Sequence, residues 1–123
     1  MWRFLFIGFL IAHGLVHLAI WLTPKPANQE MPFDANHSWL LGDRKAVAVV
    51  LALTAAVMLV GGGIGLWAHA DWWRVVAAIG LVASFGLMVV YFNPWYLFIE
   101  TVNAAMVVGI AWLAWPSKSM VGA

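Results

Sequence analysis

The sequence predicts an all-α polytopic membrane protein, a four-transmembrane-helix up-down bundle with short loops, built as a single membrane domain over residues 1–123. Three observations predict it. The chain is 65% hydrophobic and only 9% charged, too little charge for a surface that faces water. Its apolar residues gather into four runs, about 2–22, 46–67, 75–92 and 95–115, each close to the ~20 residues a helix needs to cross a ~30 Å hydrocarbon core. The runs are continuous rather than alternating, which is not the pattern of a membrane β-barrel. Backbone groups in lipid must pair within their own segment, so the runs are expected to be helices.

Composition narrows the function classes. The chain has no cysteine, which removes disulfides, thiolate chemistry and cysteine-ligated iron–sulfur clusters. The formal net charge is +1, and no basic cluster points to nucleic acid. Arg3 before an apolar run resembles a signal peptide. The run is long for an h-region and no small-x-small cleavage site follows, so it reads as the first membrane helix.

The first helix, 2–22, carries His13 and His17, about 40° apart on one face at ~100° per residue. Phe6, Phe9, Leu10, Ile20 and Trp21 share that side. Thr23-Pro24-Lys25-Pro26 ends it, because proline cannot continue a helix and restricts the residue before it.

Residues 23–45 then form an interfacial loop holding Glu30, Asp34, His37, Asp43, Arg44 and Lys45. Asp34 is placed to cap a short turn through Trp39, whose apolar neighbours Phe33, Leu40 and Leu41 suit a membrane interface. Arg44 and Lys45 mark the headgroup level.

The second helix, 46–67, has no charged residue. Thr54, Gly61 and Gly65 fall on one face, and Gly61 and Gly65 have the GxxxG spacing that lets helix backbones approach closely. A short connection, 69–74, makes the third helix an antiparallel neighbour of the second. Trp67, Trp72 and Trp73, among nine tryptophans in the chain, fit an aromatic belt. The third helix, 75–92, aligns Ala77, Gly80, Ser84, Met88 and Tyr91. Asn93-Pro94 turns the chain into the fourth, 95–115, which aligns Tyr96, Glu100 and Asn103. Helix packing is the first role expected of Gly61, Gly65 and Gly80.

An up-down bundle lets the polar residues be sorted by depth. Counted from the loop side at ~1.5 Å per residue, His17 and Glu100 lie roughly 7–8 Å deep, and His13, Thr54, Ser84 and Asn103 roughly 12–13 Å deep. These six side chains form a polar layer in one half of the membrane. An isolated carboxylate in lipid is costly, so Glu100 is expected to face inward, with His17 as partner at matching depth. His13 and Asn103 make a second candidate pair.

Two readings of the layer stand side by side. It is hydrogen-bonding glue that sets helix register, or it is a site opening toward the loop. A site offers three chemistries. His13, His17 and Glu100, with His37 from the loop, have the donor types of a zinc or iron centre, although the glutamate of HExxH is missing. His13 or His17 would suit haem as an axial ligand. A quinone or similar polar-headed lipid would find hydrogen-bonding groups and aromatic walls, including Tyr91.

The run Gly14-Leu15-Val16-His17-Leu18 matches G-x-x-[HK]-L in the first helix. With four helices in about this length, the chain resembles small uncharacterised bacterial membrane proteins of a DoxX-like kind. Some DoxX relatives are associated with quinone-linked redox complexes, and the resemblance implies a small subunit beside larger partners. His17 is the only matching position that bears a polar side chain, and no catalytic role comes with it.

The basic residues divide three against three, Arg3, Arg74 and Lys118 against Lys25, Arg44 and Lys45, so the positive-inside rule is silent. The long loop of mixed charge is the easier one to translocate. That places both termini in the cytoplasm of a bacterial cell, with the chain in the cytoplasmic membrane. The expectation is an accessory or binding subunit rather than an enzyme, in contact with lipid and with other membrane chains or itself. The alternative is a stand-alone metal-, haem- or quinone-binding protein or enzyme using His13, His17 and Glu100.

Overall fold

The computed structural model describes residues 1–22 and 37–122. Glu30, Phe33 and Asp34, and the proposed Asp34 cap, lie outside the described residues. The fold is all-helical. Helix α1 is Trp2–Trp21, α2 is Lys45–Trp67, α3 is Trp73–Val90 and α4 is Leu97–Val107. A 3-10 turn, Pro94–Tyr96, leads into α4, a π turn, Val108–Trp112, follows it, and a short α5, Lys118–Val121, closes the chain.

Three helices, α1 to α3, are long and apolar enough to cross a membrane, while the fourth apolar helix, Leu97–Trp112, is shorter. The expected fourth span of 95–115 is thus cut at both ends. At its far end the backbone opens into the π turn, where Leu113 N–H reaches Val108 O at 3.0 Å and Trp115 N–H reaches Gly109 O at 2.8 Å. Ala114 takes a positive φ of 49°, and the Trp115–Pro116 peptide is cis. Local backbone preferences and one tertiary contact together account for this. Proline disfavours a helical residue before it. Gly109 has no side chain, and a Cβ there would lie 3.4 Å from the Trp115 ring. The ring instead folds back to meet Phe6, 5.5 Å away edge to face.

Side-chain contacts fix the up-down order. At one end the start of α1 meets the end of α2 through an Arg3 hydrogen bond to Trp67 O. The start of α3 meets the chain after α4 through Arg74 and Pro116 O. At the other end Trp21 of α1 packs on Tyr96, and the hydroxyl of Tyr91, just after α3, donates to Arg44 O beside α2. The last carbonyls of a helix have no partner within it, and the Arg3 bond to Trp67 O supplies one at the end of α2.

α2 lies between α1 and α3, and glycines on all three helices set the spacing. A Cβ on Gly80 of α3 would stand 2.8 Å from Leu59 Cγ and 2.9 Å from Leu59 N. A Cβ on Gly62 would stand 2.9 Å from Ala77 Cβ, and one on Gly14 3.0 Å from Ala56 O. Small residues at such crossings replace the hydrophobic drive that lipid removes. Gly65 sits against the Trp72 ring, whereas Gly61 makes only ordinary contact with Val76.

The interior divides into two apolar clusters. One, nearer the termini, includes Leu10, Leu59, Leu66, Trp73, Leu81 and Ile110. The other, nearer the loop, includes Trp21, Ala52, Leu87, Met88, Tyr91 and Tyr96. Between them in chain order, on α1, α3 and α4 alike, lie the buried polar residues His17, Ser84 and Asn103.

Candidate functional site: a serine-centred polar cluster

The cluster is assembled from one residue on each of three helices. His17, Ser84 and Asn103 are each 0% exposed. The Ser84 hydroxyl is the hub. It lies 2.8 Å from His17 Nε2, it accepts from Asn103 Nδ2 at 2.8 Å, and it lies 3.5 Å from His13 Nε2. His17 Nδ1 lies 2.8 Å from His13 O, one turn back on α1.

These contacts determine where the protons sit. A backbone carbonyl only accepts, so His17 Nδ1 carries hydrogen and donates to His13 O. In neutral His17 the other nitrogen, Nε2, then accepts the Ser84 O–H. A directed chain results, from Asn103 to Ser84 to His17 to the His13 carbonyl. The free lone pair of Ser84 faces His13 Nε2. The Asn103 amide also lies beside His13, while its Oδ1 has no partner among the described residues.

The histidines sit in a ladder of rings along one face of α1. Centroid separations are 5.4 Å from Phe9 to His13, 5.4 Å from His13 to His17, 5.8 Å from His17 to Trp21 and 5.9 Å from Trp21 to Tyr96. The four-residue spacings from Phe9 to Trp21 put these side chains in register on α1, and Tyr96 extends the row from outside that helix.

The sequence-derived layer is therefore brought together in part. His13, His17, Ser84 and Asn103 meet. Thr54 does not join them; its hydroxyl donates to Val50 O of its own helix at 2.8 Å. The expected His17–Glu100 pair does not form. His17 has both ring nitrogens engaged, and Glu100 instead lines a groove with Trp39, Phe85, Val89 and Phe92. Both Glu100 oxygens are shielded from solvent and lack a hydrogen-bond partner among the described residues. The difference is one of azimuth. Glu100 and Asn103 are three residues apart, about 60° around the helix, so when Asn103 points into the core Glu100 points to the α3 side.

His37 lies apart from the cluster, in the loop, where Nδ1 is 2.7 Å from Asp43 Oδ1. Among the described residues no three His, Cys, Asp or Glu side chains converge to hold a metal ion. The donor set His13, His17, His37 and Glu100 is not gathered into one centre in this arrangement, and Nε2 of His17 is engaged by Ser84.

Ser38 is a structural anchor that sequence reasoning missed. Its hydroxyl donates to Val90 O at the end of α3 and accepts from the N–H groups of Leu40 at 3.2 Å and Leu41 at 3.0 Å. Ser38 and Gly42 exchange backbone bonds at 2.9 and 2.8 Å, with Gly42 at a φ of 68° that suits glycine. Trp39 Nε1 donates to Val89 O at 2.7 Å. The turn is thus pinned onto α3. The available signal was a serine opening a five-residue turn that ends in glycine.

No family model, no curated relative and no solved structure matches the chain.

Proposed function

We propose that the chain is a small integral membrane accessory subunit of a larger membrane complex. All four helices cross a bacterial cytoplasmic membrane, with both termini on the cytoplasmic side. In this reading the serine-centred cluster is internal glue that holds α4 to α1 and α3, and the working surfaces are those around α4.

The observation that carries the reading is how α4 is seated. Glycine contacts bring α1, α2 and α3 close together, whereas α4 is flanked by two apolar grooves. One, of about 270 Å³, lies against α1 and includes Leu5, Phe6, Met106 and Trp115. The other, of about 480 Å³, lies against α3 and includes Val75, Ile79 and Ile110. Grooves of this kind accept the side chains of a neighbouring membrane helix, because helix association in lipid runs on packing. A helix of another chain or of a second copy would complete the bundle. The DoxX-like run around His17 favours a redox or quinone-linked complex as the setting.

The absence of cysteine supplies a clean test. Leu5→Cys and Ile79→Cys each introduce one thiol, in the first and second groove. A thiol-directed cross-linker applied to native membranes is expected to join these positions to a partner chain or to a second copy. If both positions stay uncross-linked while a lipid-soluble maleimide labels them, the subunit reading fails.

A further inference from the structure

We propose that the groove between α3 and α4 at the loop end binds a lipophilic organic cation, with Glu100 as its counter-charge and Trp39, Phe85 and Phe92 as its aromatic walls. The inference is separate from the subunit reading, which rests on the grooves toward the termini.

The groove has a volume of about 400 Å³ and is lined by Trp39, Phe85, Val89, Phe92 and Glu100, a size within the range of small-molecule sites. Three of the five residues are aromatic, and only Glu100 carries an ionisable group. Its two oxygens are withdrawn from solvent with no hydrogen-bond donor among the described residues. A carboxylate in apolar surroundings must be neutralised by a proton or by a cation. Among the described residues no cationic side chain is on the lining, so in this proposal the cation is the ligand's to bring.

The aromatic walls choose the kind of cation. Ring faces attract positive charge, most strongly those of tryptophan, and groups of rings recognise quaternary centres. Trp39 is 65% exposed, yet it is held in place by its indole bond to Val89 O at 2.7 Å and by Ser38 on Val90 O. The wall is therefore built before any ligand arrives. A quaternary ammonium or phosphonium has no N–H or O–H to donate. It needs only charge at short range in a poorly polarisable setting, where Coulomb attraction is strong, and so it suits a carboxylate with shielded oxygens. The apolar lining takes the ligand's organic substituents.

The test uses the full chain, purified in detergent or lipid nanodiscs, and tetraphenylphosphonium as probe in equilibrium dialysis. Saturable binding at one per chain is expected. Glu100→Gln should weaken it at least tenfold and Trp39→Ala several-fold, with helix content by circular dichroism confirming that both variants fold. Triphenylphosphine oxide, similar in shape and uncharged, should bind the unaltered chain at least tenfold more weakly. That comparison decides the matter even if Glu100→Gln does not fold. Equal binding of the charged and neutral probes, undiminished binding to folded Glu100→Gln, or no saturable binding because a helix or second copy already fills the groove would each overturn the proposal.

Discussion

His17 Nε2 lies 2.8 Å from the Ser84 hydroxyl, and this one contact ties the first helix to the third in the middle of an otherwise apolar interior. Because Asn103 donates to the same oxygen, a small hydroxyl joins three helices. Losing it should therefore matter more than its size suggests. Ser84→Ala strands His17 Nε2 and the Asn103 amide, and an unpaired buried polar group costs about 1–3 kcal/mol. Reversible unfolding in detergent should show a loss in that range. A His17→Ala/Ser84→Ala double-mutant cycle should give a coupling of about 0.6 kcal/mol, the average for hydrogen bonds between membrane helices, and no more than about 1.7 kcal/mol. A coupling of zero would mean that the pair does not act as a unit.

The glycines divide by what stands opposite them. Gly80→Ala drives a methyl group to within 3 Å of the Leu59 backbone nitrogen, and backbone cannot step aside cheaply. Overpacking of this kind costs about 1–3 kcal/mol, and unfolding measurements should show it. Nothing lies within 4 Å of a Cβ at Gly8 or Gly86. Alanine at those positions should be neutral, or stabilising by up to about 1 kcal/mol through helix propensity. Equal effects at Gly80 and Gly86 would contradict the close crossing of α2 and α3.

Ser38→Ala should free the turn from α3. Three hydrogen bonds converge on that hydroxyl, and each has a typical net value of about 0.5–1.5 kcal/mol. Amide hydrogen exchange is the appropriate readout. The Leu40 and Leu41 N–H groups should exchange at least several-fold faster in the variant, while exchange in the middle of α2 stays unchanged. Unaltered exchange at both leucines would show that the backbone bonds between Ser38 and Gly42 hold the turn without the side chain.

The contact between His37 and Asp43 invites the opposite expectation. The two side chains are 59% and 86% exposed, and pairs this open contribute at most about 1 kcal/mol. His37→Ala should leave the unfolding midpoint nearly unchanged. A large loss would assign the loop a structural role that this contact does not explain.

Much of the architecture was legible because apolar run length is a direct reading of bilayer thickness. The α1, α2 and α3 boundaries fall within two residues of the apolar runs at every end. α4 is shorter because Gly109 and Pro116 let Trp115 fold back, a tertiary event that hydropathy does not encode. Within the polar layer, the four-residue spacing of His13 and His17 gave their shared face. Depth counting brought Ser84 and Asn103 to the same level as His13. Depth says nothing about azimuth, however, and so Glu100 was assigned to His17 when it faces the α3–α4 groove. Thr54 illustrates the other gap, since a hydroxyl in a helix can satisfy itself on the carbonyl four residues back. Ser38 lay beyond reach because its partner, Val90, is 52 residues away.

The central claim, that this is a subunit, is tested most directly by purifying the intact chain from its native membrane in mild detergent. The product is read by mass spectrometry, visible absorption and metal analysis together. The account predicts co-purifying membrane chains at fixed stoichiometry, with no metal or chromophore belonging to this chain. A chain that runs alone and holds stoichiometric metal, haem or quinone would contradict it and return the histidines to the role of a binding site.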